Sequence, residues 1–249
     1  MVKLILDDAQ EFKKAVDAVS VLIDEAEFIV DEKRFALKAT DPSQISMVDF
    51  ELDKKAFKSY EVKKPTKIGL DLSYLSQVMG RSKAKESLTI ELDEKDSRLN
   101  ITFEGNAKRK FSIPLLDLSS TELPNPKINF DAEIKMNAGL LQDALKDASL
   151  ISNHLTLGVT SDSFFVNASS SKGELNNVSQ KNDSDLKKLE VKNECSAMYP
   201  LDFLSDMLKA ASSSDEIDLF LKTDAPIKIS YKIGRAQIIY FLAPRIETS

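Results

Sequence analysis

Residue types that could support catalysis are scarce in this chain of 249 residues. It has one histidine, His154, and one cysteine, Cys195. A zinc site takes several His, Cys or carboxylate ligands, so a His-rich or Cys-rich site within one chain is not expected. A nucleophilic cysteine–histidine pair would require these two side chains to meet. The simpler interpretation places Cys195 in a strand and His154 in a loop that follows a helix.

Signatures of phosphate binding and of acid–base catalysis are also weak. The seven glycines form neither G-x-G-x-x-G nor G-x-x-x-x-G-K-[ST], the usual phosphate-binding motifs. The 40 acidic residues allow a carboxylate pair for acid–base chemistry, although most of them are expected to be solvated. We therefore predict a protein with no catalytic residue, no metal site and no cofactor. An enzyme that uses a carboxylate pair is the alternative from another class.

The composition is that of a globular protein, with 42% hydrophobic and 30% charged residues. No run of about 18 apolar residues occurs, so no membrane span is predicted. The N-terminal MVKLILDDAQ turns acidic after six residues and does not have the pattern of a signal peptide. A single cysteine is typical of a reducing compartment. The net charge of -6 argues against a protein that grips nucleic acid with its whole surface.

An internal repeat with a spacing of 129 residues organises the chain. LSYLSQVM at 72–79 matches LDFLSDML at 201–208. Three further segments align at the same spacing: 12–22 with 141–151, 35–40 with 164–169, and 105–113 with 234–242. Four matches at one spacing predict two domains of one fold. The expected domains are residues 1–113 and 132–249, joined by an extended connector at 114–131 that carries three prolines.

The hydrophobic pattern predicts two β-α-β-β-β units in each domain. In the first helix, Phe12, Val16 and Val19 follow the period of an amphipathic helix. The expected elements are strands at 3–6, 27–30, 35–40, 45–51, 87–92, 98–103 and 108–113, with helices at 9–22, 72–79, 138–149 and 201–211. Because one helix must cover three or four strands, much of each sheet must face solvent or a partner. This indicates an α+β fold with antiparallel sheets.

Several short segments resemble a known family. They are LIDEA at 22–26, DPSQIS at 41–46 and FLAPRIE at 241–247. Together they look like the proliferating cell nuclear antigen family of DNA sliding clamps, and the resemblance covers essentially the whole chain. The short DPS form and the basic RSKAK at 81–85 are similar to the archaeal branch.

This resemblance implies a ring that does no chemistry itself. Three subunits would close head to tail, giving six similar domains with helices lining the hole and sheets forming the outer wall. The ring would encircle duplex DNA without regard to sequence and tether DNA polymerase, nuclease and ligase through short peptide motifs. Such a processivity factor serves DNA replication and repair, and an ATP-hydrolysing clamp loader opens it.

The resemblance also implies which basic residues face DNA. The candidates are Lys13, Lys14, Lys83, Lys85, Lys108, Lys110, Lys146 and Lys209. Charge alone supports this only in part, because the segment 72–85 carries three cations and no acid, whereas 138–149 and 201–211 are net acidic. Weak, salt-sensitive contact with phosphates suits a sliding tether.

Family geometry places strand 108–113 of one subunit beside a strand near 174–181 of the next. The implied interface residues are Arg81, Lys83, Arg109, Lys110, Phe111, Asp143, Asp147, Leu175 and Val178. Asp143 and Asp147 are four residues apart, so they share one helix face. Arg81, Lys83 and Arg109 are their candidate partners, and Lys83 is a candidate for DNA contact as well. Exposed ion pairs contribute about 0–1 kcal/mol each, so this seam should weaken as salt rises.

The third implied site is a pocket for partner peptides that carry a glutamine, an aliphatic residue and two aromatics. Its matching residues are Thr40, Gln44, Ile45, Met47, Leu123, Pro126, Phe130, Pro226, Phe241, Leu242, Ala243 and Pro244. Aromatic anchors in an apolar pocket make strong contacts, and the C-terminal backbone could pair with an extended peptide.

Three alternatives to a homotrimeric clamp stay open at this point. The chain could be one subunit of a hetero-oligomeric or checkpoint-type clamp, a scaffold that never touches DNA, or the carboxylate-dependent enzyme. An archaeal-type clamp would be cytoplasmic and a eukaryotic one nuclear.

Overall fold

The computed structural model describes residues 2–118, 123–124 and 126–246. Residues 119–122 and 125 of the predicted connector lie outside this part of the chain. The described residues form two compact units. Unit 1 draws on Met1–Pro42, Val48–Pro124 and Ile233–Ile238, and unit 2 draws on Ser43–Met47, Asn125–Lys232 and Ile239–Ser249.

Unit 1 is built mainly from the elements of the first half of the chain. They are β1 (Val2–Leu6), α1 (Ala9–Ser20), β2 (Glu25–Val30), β3 (Arg34–Thr40), β4 (Ser46–Asp53), a short 3-10 helix (Lys54–Ala56), β5 (Ser59–Val62), β6 (Thr66–Asp71), α2 (Leu72–Met79), β7 (Ser87–Asp93), β8 (Arg98–Glu104) and β9 (Lys108–Pro114). One sheet has the order β5-β1-β7-β8-β9, and four more strands pair in the order β4-β3-β2-β6. Six strand pairs of unit 1 are antiparallel: β1–β5, β1–β7, β2–β3, β2–β6, β7–β8 and β8–β9.

Unit 2 repeats this arrangement with the second half. Its elements are β10 (Ala132–Asn137), α3 (Ala138–Ser149), β11 (His154–Val159), β12 (Ser163–Ser170), β13 (Gly173–Gln180), β14 (Leu186–Val191), β15 (Cys195–Pro200), α4 (Leu201–Leu208), β16 (Glu216–Leu221) and β17 (Ile227–Ile233), followed by β18 (Ala236–Leu242), whose last four residues belong here. Four strands form a sheet in the order β13-β12-β11-β15, and four others pair in the order β14-β10-β16-β17.

Helices α1 and α2 begin at carboxylate caps, and all four helices bury one face. The Asp8 side chain accepts a hydrogen bond from the Gln10 N–H, and Asp71 accepts one from the Tyr74 N–H, so both start a helix with a side-chain cap. Helix α1 packs beside α2, and α3 packs beside α4. Their apolar stripes lie against the sheets, which leaves the opposite helix faces polar and exposed.

The predicted α+β fold with two β-α-β-β-β units in each half is confirmed, with small corrections to its elements. Helices α2 and α3 have the predicted bounds, whereas α1 ends at Ser20 and α4 at Leu208. The expected strands omit β6, and each half contains one further strand that the pattern did not predict, β5 and β14. Both are edge strands with few fully buried residues, so hydrophobic alternation is weak in them.

An aromatic cluster forms part of the core of unit 1. The ring of Phe35 lies 4.6 Å from Phe28, 5.6 Å from Phe12 and 6.4 Å from Phe50, measured between centroids. All four side chains are buried. The helix and three strands therefore meet at Phe35, since Phe12 lies on α1, Phe28 on β2 and Phe50 on β4.

Truncating this central ring should destabilise the protein strongly. Phe35→Ala removes a buried ring and leaves a cavity, so the free energy of unfolding should fall by about 3–5 kcal/mol. Ile29→Ala on β2 is the matched control, because Ile29 is 41% exposed and its loss should change stability by less than about 1 kcal/mol. Chemical denaturation measures both, and equal effects would contradict this description of the core.

Candidate functional site

Strands β9 and β13 are edge strands with one side unpaired in the described chain, and β5 and β14 are edge strands as well. Strand β9 pairs with β8 only, in a register that joins Arg98 to Pro114 and Glu104 to Lys108. Strand β13 pairs with β12 only. A free edge presents backbone N–H and C=O groups that another strand can pair with. Strands β9 and β13 are the two strands that the family resemblance places at the subunit interface.

The loop between α2 and β7 lies beside β9 and carries a cluster of cations. Arg81 and Lys83 are exposed, and neither forms an ion pair with any described residue. Arg109 is different, because its Nη2 lies 2.5 Å from the Glu86 carboxylate and its Nη1 donates to the Arg81 carbonyl at 2.8 Å. The guanidinium also lies over the Phe103 ring, 5.3 Å from its centroid. Arg109 therefore has an intramolecular partner, Glu86, which the sequence does not identify.

The complementary features lie in unit 2, on α3 and β13. Asp143 and Asp147 are both exposed, and Asp143 accepts a hydrogen bond from Lys146 at 2.8 Å. Val178 on β13 is 47% exposed, while Leu175 is half-buried. Leu150, just after α3, is 72% exposed. The sequence does not single out Leu150 as a surface residue.

The candidate DNA-facing lysines divide into paired and unpaired groups. Lys13 pairs with Asp17, Lys108 with Glu104 and Lys146 with Asp143, so part of their charge is neutralised within the subunit. The exposed residues Lys14, Lys83, Lys85, Lys110 and Lys209 form no ion pair with a described residue. The exposed helix faces therefore carry both lysines and acidic residues, and the acidic residues neutralise part of the positive charge.

The C-terminal segment lies against Ile45 in unit 2. The Ala243 N–H donates to the Ile45 carbonyl at 2.8 Å, which is a strand-like contact. Ile45 is 36% exposed, and Phe241 is half-buried beside the fully buried Leu242. Leu242 is therefore part of the core in this chain, whereas Phe241 and Ile45 present apolar surface.

The other predicted pocket residues are distributed as follows. Gln44 is exposed with a φ of 59°, and Met47 is buried. Phe130 is half-buried and packs on Phe220, with centroids 5.6 Å apart. Pro226, Ala243 and Pro244 are half-buried and Pro126 is exposed, all in unit 2, whereas the half-buried Thr40 and Leu123 belong to unit 1.

The tail continues past the pocket residues along β15. The Arg245 N–H donates to the Met198 carbonyl at 2.7 Å, and its Nη1 lies 3.0 Å from Nε2 and 3.1 Å from Nδ1 of His154. A groove of about 560 Å³ lies between these residues and β13. Burial lowers the pKa of His154, the Arg245 charge lowers it further, and Asp202 opposes both.

The cysteine–histidine pair that the sequence analysis considered does not form in unit 2. His154 pairs with Pro200 and Cys195 pairs with Val159, so the two side chains lie at opposite ends of the β11–β15 ladder. Burial raises the pKa of the Cys195 thiol to about 11, which disfavours the reactive thiolate. Among the described residues, no group of three or more His, Cys, Asp or Glu side chains could hold a metal ion. No helix in the described part of the chain has the length and apolar character to cross a membrane.

Repeated units of two helices on antiparallel sheets, each with a free edge strand, define a two-domain fold of the clamp type. Comparison with known proteins identifies the same type of fold. The model of the proliferating cell nuclear antigen N-terminal domain matches residues 1–125, and the C-terminal domain model matches 125–246. The chain belongs to the proliferating cell nuclear antigen family, which confirms the resemblance seen in the sequence.

Individual relatives are similar over the full chain. A DNA polymerase sliding clamp from Methanococcus vannielii is 37% identical over 247 residues, which is 97% of this chain and 98% of the relative. The crystal structure of PCNA from Thermococcus kodakaraensis superimposes with a TM-score of 0.94 at 25% identity, over 98% of this chain and all of the other. The structure of the C-terminal region of FEN-1 bound to A. fulgidus PCNA gives a TM-score of 0.89 at 25% identity, with both chains fully covered.

Removing the Arg245 charge should raise the pKa of His154. The wild-type pKa is below the ordinary value of about 6.5, so neutral His154 stabilises the fold above that pH and loses this contribution as the pH falls through the lowered pKa. In Arg245→Gln the neighbouring cation is gone, and the midpoint should move up. NMR titration of the ring protons is unambiguous because the chain has one histidine.

The matched control is Lys172→Gln, which removes an exposed cation from the turn after β12. Its His154 midpoint should equal that of the wild type. An Arg245→Gln midpoint that stays in place or falls would contradict the assigned contact between the tail and His154.

Proposed function

We propose that this protein is a DNA sliding clamp, a ring that encircles duplex DNA and tethers replication and repair enzymes to it. The observation that carries the proposal is the pair of free edges, β9 in unit 1 and β13 in unit 2, with charge of opposite sign beside them. Arg81 and Lys83 flank β9, and Asp143 and Asp147 lie on the helix above β13. The named function of the similar Methanococcus vannielii protein supports it.

The two edges predict a head-to-tail assembly. They belong to different units, so a contact between β9 of one copy and β13 of the next is heterologous and repeats around a ring. Family likeness sets the number of copies at three. Strand pairing would satisfy the backbone groups at both edges, while the exposed Val178 and Leu150 would become covered. The seam would be largely polar, because most residues of β9 and β13 are polar or charged.

A topological tether explains why the helices and the loops beside them carry little net positive charge. A protein that held DNA by affinity would need many unpaired phosphate contacts. Here Lys13, Lys108 and Lys146 are partly neutralised by acids, and Lys14, Lys85 and Lys209 supply unpaired charge. Such a surface holds DNA weakly without regard to sequence, and retention comes from the closed ring.

The C-terminal segment and Ile45 supply the proposed partner pocket. Phe241 and Ile45 expose apolar surface next to a backbone segment that already makes strand-like contacts. A partner peptide with a glutamine, an aliphatic residue and two aromatics would place its aromatic side chains there. The FEN-1 segment seen on the A. fulgidus protein supports a peptide as the bound partner.

The ring itself would carry out no chemistry, and a clamp loader would open and close it. Membership of the proliferating cell nuclear antigen family supports this part of the proposal. The archaeal relatives support a cytoplasmic location.

Retention on circular DNA tests the ring directly. With the clamp loader and DNA polymerase of the same organism, the protein should stay on a nicked circular duplex through gel filtration. Cutting the same circle once should release it, because a ring slides off a free end. Ionic strength and DNA sequence are identical in the two arms. Equal retention on circular and linear DNA would show ordinary binding and overturn the clamp.

The pocket is tested with a peptide of the stated motif. Phe241→Ala and Ile45→Ala should each weaken its affinity about tenfold, a loss of about 1.4 kcal/mol. Leu242 is left intact because it is fully buried and its truncation would disturb the core. Ile29→Ala removes a similarly exposed side chain from β2 in unit 1 and should leave the affinity unchanged. Isothermal calorimetry gives the affinities, and wild-type binding by both pocket variants would refute this location.

A further inference from the structure

We propose that Glu86 and Arg109 form an internal clasp that holds the 81–86 loop in place, so that Arg81 and Lys83 supply the cations of the subunit seam and Arg109 acts as a positioning residue. This inference rests on the proposed ring, because it concerns how one face of the seam is presented. It changes the role that family likeness gives to Arg109, which is direct pairing with Asp143 or Asp147 of the next subunit.

Arg109 is engaged on three sides within its own unit. Its Nη2 contacts the Glu86 carboxylate, its Nη1 donates to the Arg81 carbonyl at 2.8 Å, and its guanidinium lies over the Phe103 ring. Its side chain is only 25% exposed. A planar guanidinium that bridges a carboxylate and a carbonyl fixes both groups, and Lys could not reproduce this geometry.

Glu86 connects this guanidinium to the rest of unit 1. Its side chain is 8% exposed, and its Oε2 also accepts a hydrogen bond from the Lys83 N–H at 2.8 Å. Its backbone carbonyl accepts one from the Ala9 N–H at the start of α1. The Gly105 Cα packs so closely that an added Cβ would lie 2.9 Å from the Glu86 Cγ. Glu86 therefore links the loop, helix α1 and the turn that precedes β9.

The clasp contacts the loop at Arg81 and Lys83, two residues whose side-chain charges are unpaired in the described chain. Arg109 holds the carbonyl of Arg81, and Glu86 holds the N–H of Lys83. The loop is also tied to α1, because Gln10 Nε2 donates to Ser82 Oγ at 2.7 Å. Arg81 and Lys83 thus have fixed backbones and exposed side chains that no described carboxylate neutralises. They are the charges available to an acidic neighbour, whereas the Arg109 charge is already balanced by Glu86.

The clasp and a direct role for Arg109 make opposite predictions for Glu86→Gln. This substitution removes a negative charge from a face that meets Asp143 and Asp147, so simple electrostatics predicts tighter assembly. If Glu86 positions the loop, losing its ionic contact with Arg109 should loosen Arg81 and Lys83 and weaken assembly. The direction of the change therefore separates the two roles.

The experiment measures the monomer–trimer equilibrium of the full chain by sedimentation equilibrium at several salt concentrations. We expect Glu86→Gln to weaken assembly at least fivefold with an unchanged salt slope. The matched control is Glu104→Gln, which removes an exposed carboxylate from β8 of the same sheet and should leave assembly unchanged or slightly tighter. Arg81→Gln should weaken assembly and flatten the salt slope, because it removes a charge that crosses the seam.

Two further variants keep the test decisive if Glu86→Gln lowers stability. Arg109→Lys keeps the charge but loses the planar guanidinium that joins the Glu86 carboxylate to the Arg81 carbonyl, so it should weaken assembly as Glu86→Gln does. A double-mutant cycle of Arg81→Gln with Asp147→Asn should show coupling, whereas Arg109→Lys with Asp147→Asn should be additive.

Tighter assembly of Glu86→Gln, wild-type assembly of Arg109→Lys, or coupling of Arg109 to Asp147 would each overturn the clasp while leaving the ring intact. A wild-type chain that stays monomeric at low salt would instead overturn the proposed ring, and the clasp's role in it, so the two failures are distinguishable.

Discussion

The structure depends on a constraint at two sheet edges. Strands β9 and β13 each leave one row of backbone hydrogen-bonding groups without a strand partner in the described chain. Such edges invite pairing with other chains, and proteins either protect them or use them. Here they lie in different units of one repeat, flanked by charges of opposite sign. In the proposed head-to-tail assembly, one contact would satisfy both edges at once.

The chemistry of these edges determines how strong the seam can be. Strand β13 reads GELNNVSQ and β9 reads KRKFSIP, so neither brings a large apolar surface. In the proposed ring, cohesion would come from backbone pairing, a few exposed side chains such as Leu150 and Val178, and ion pairs that salt screens. Such a seam could open without unfolding the units, whose cores are apolar. Precise placement of the few seam cations would then matter, and this is the role proposed for the Glu86–Arg109 contact.

The repeat made most of the fold predictable, and tertiary contacts account for what it missed. Helices α2 and α3 were predicted to the residue, whereas α1 and α4 were predicted two and three residues too long at their C-terminal ends. Strands β5 and β14 were missed because edge strands bury few side chains and show little alternation. The partner of Arg109 lies 23 residues away on another element, so spacing could not reveal it. The exposure of Leu150 could not be predicted from its residue type, because apolar residues are more often buried.

The solution mass tests the central claim most directly. Sedimentation equilibrium of the wild-type chain at low salt should give three times 27.7 kDa, or 83.1 kDa, and the average mass should fall as salt rises because the seam is polar and ionic. A stable species of 27.7 kDa at low salt would contradict the homotrimeric ring and direct attention to other clamp chains as partners for the two free edges.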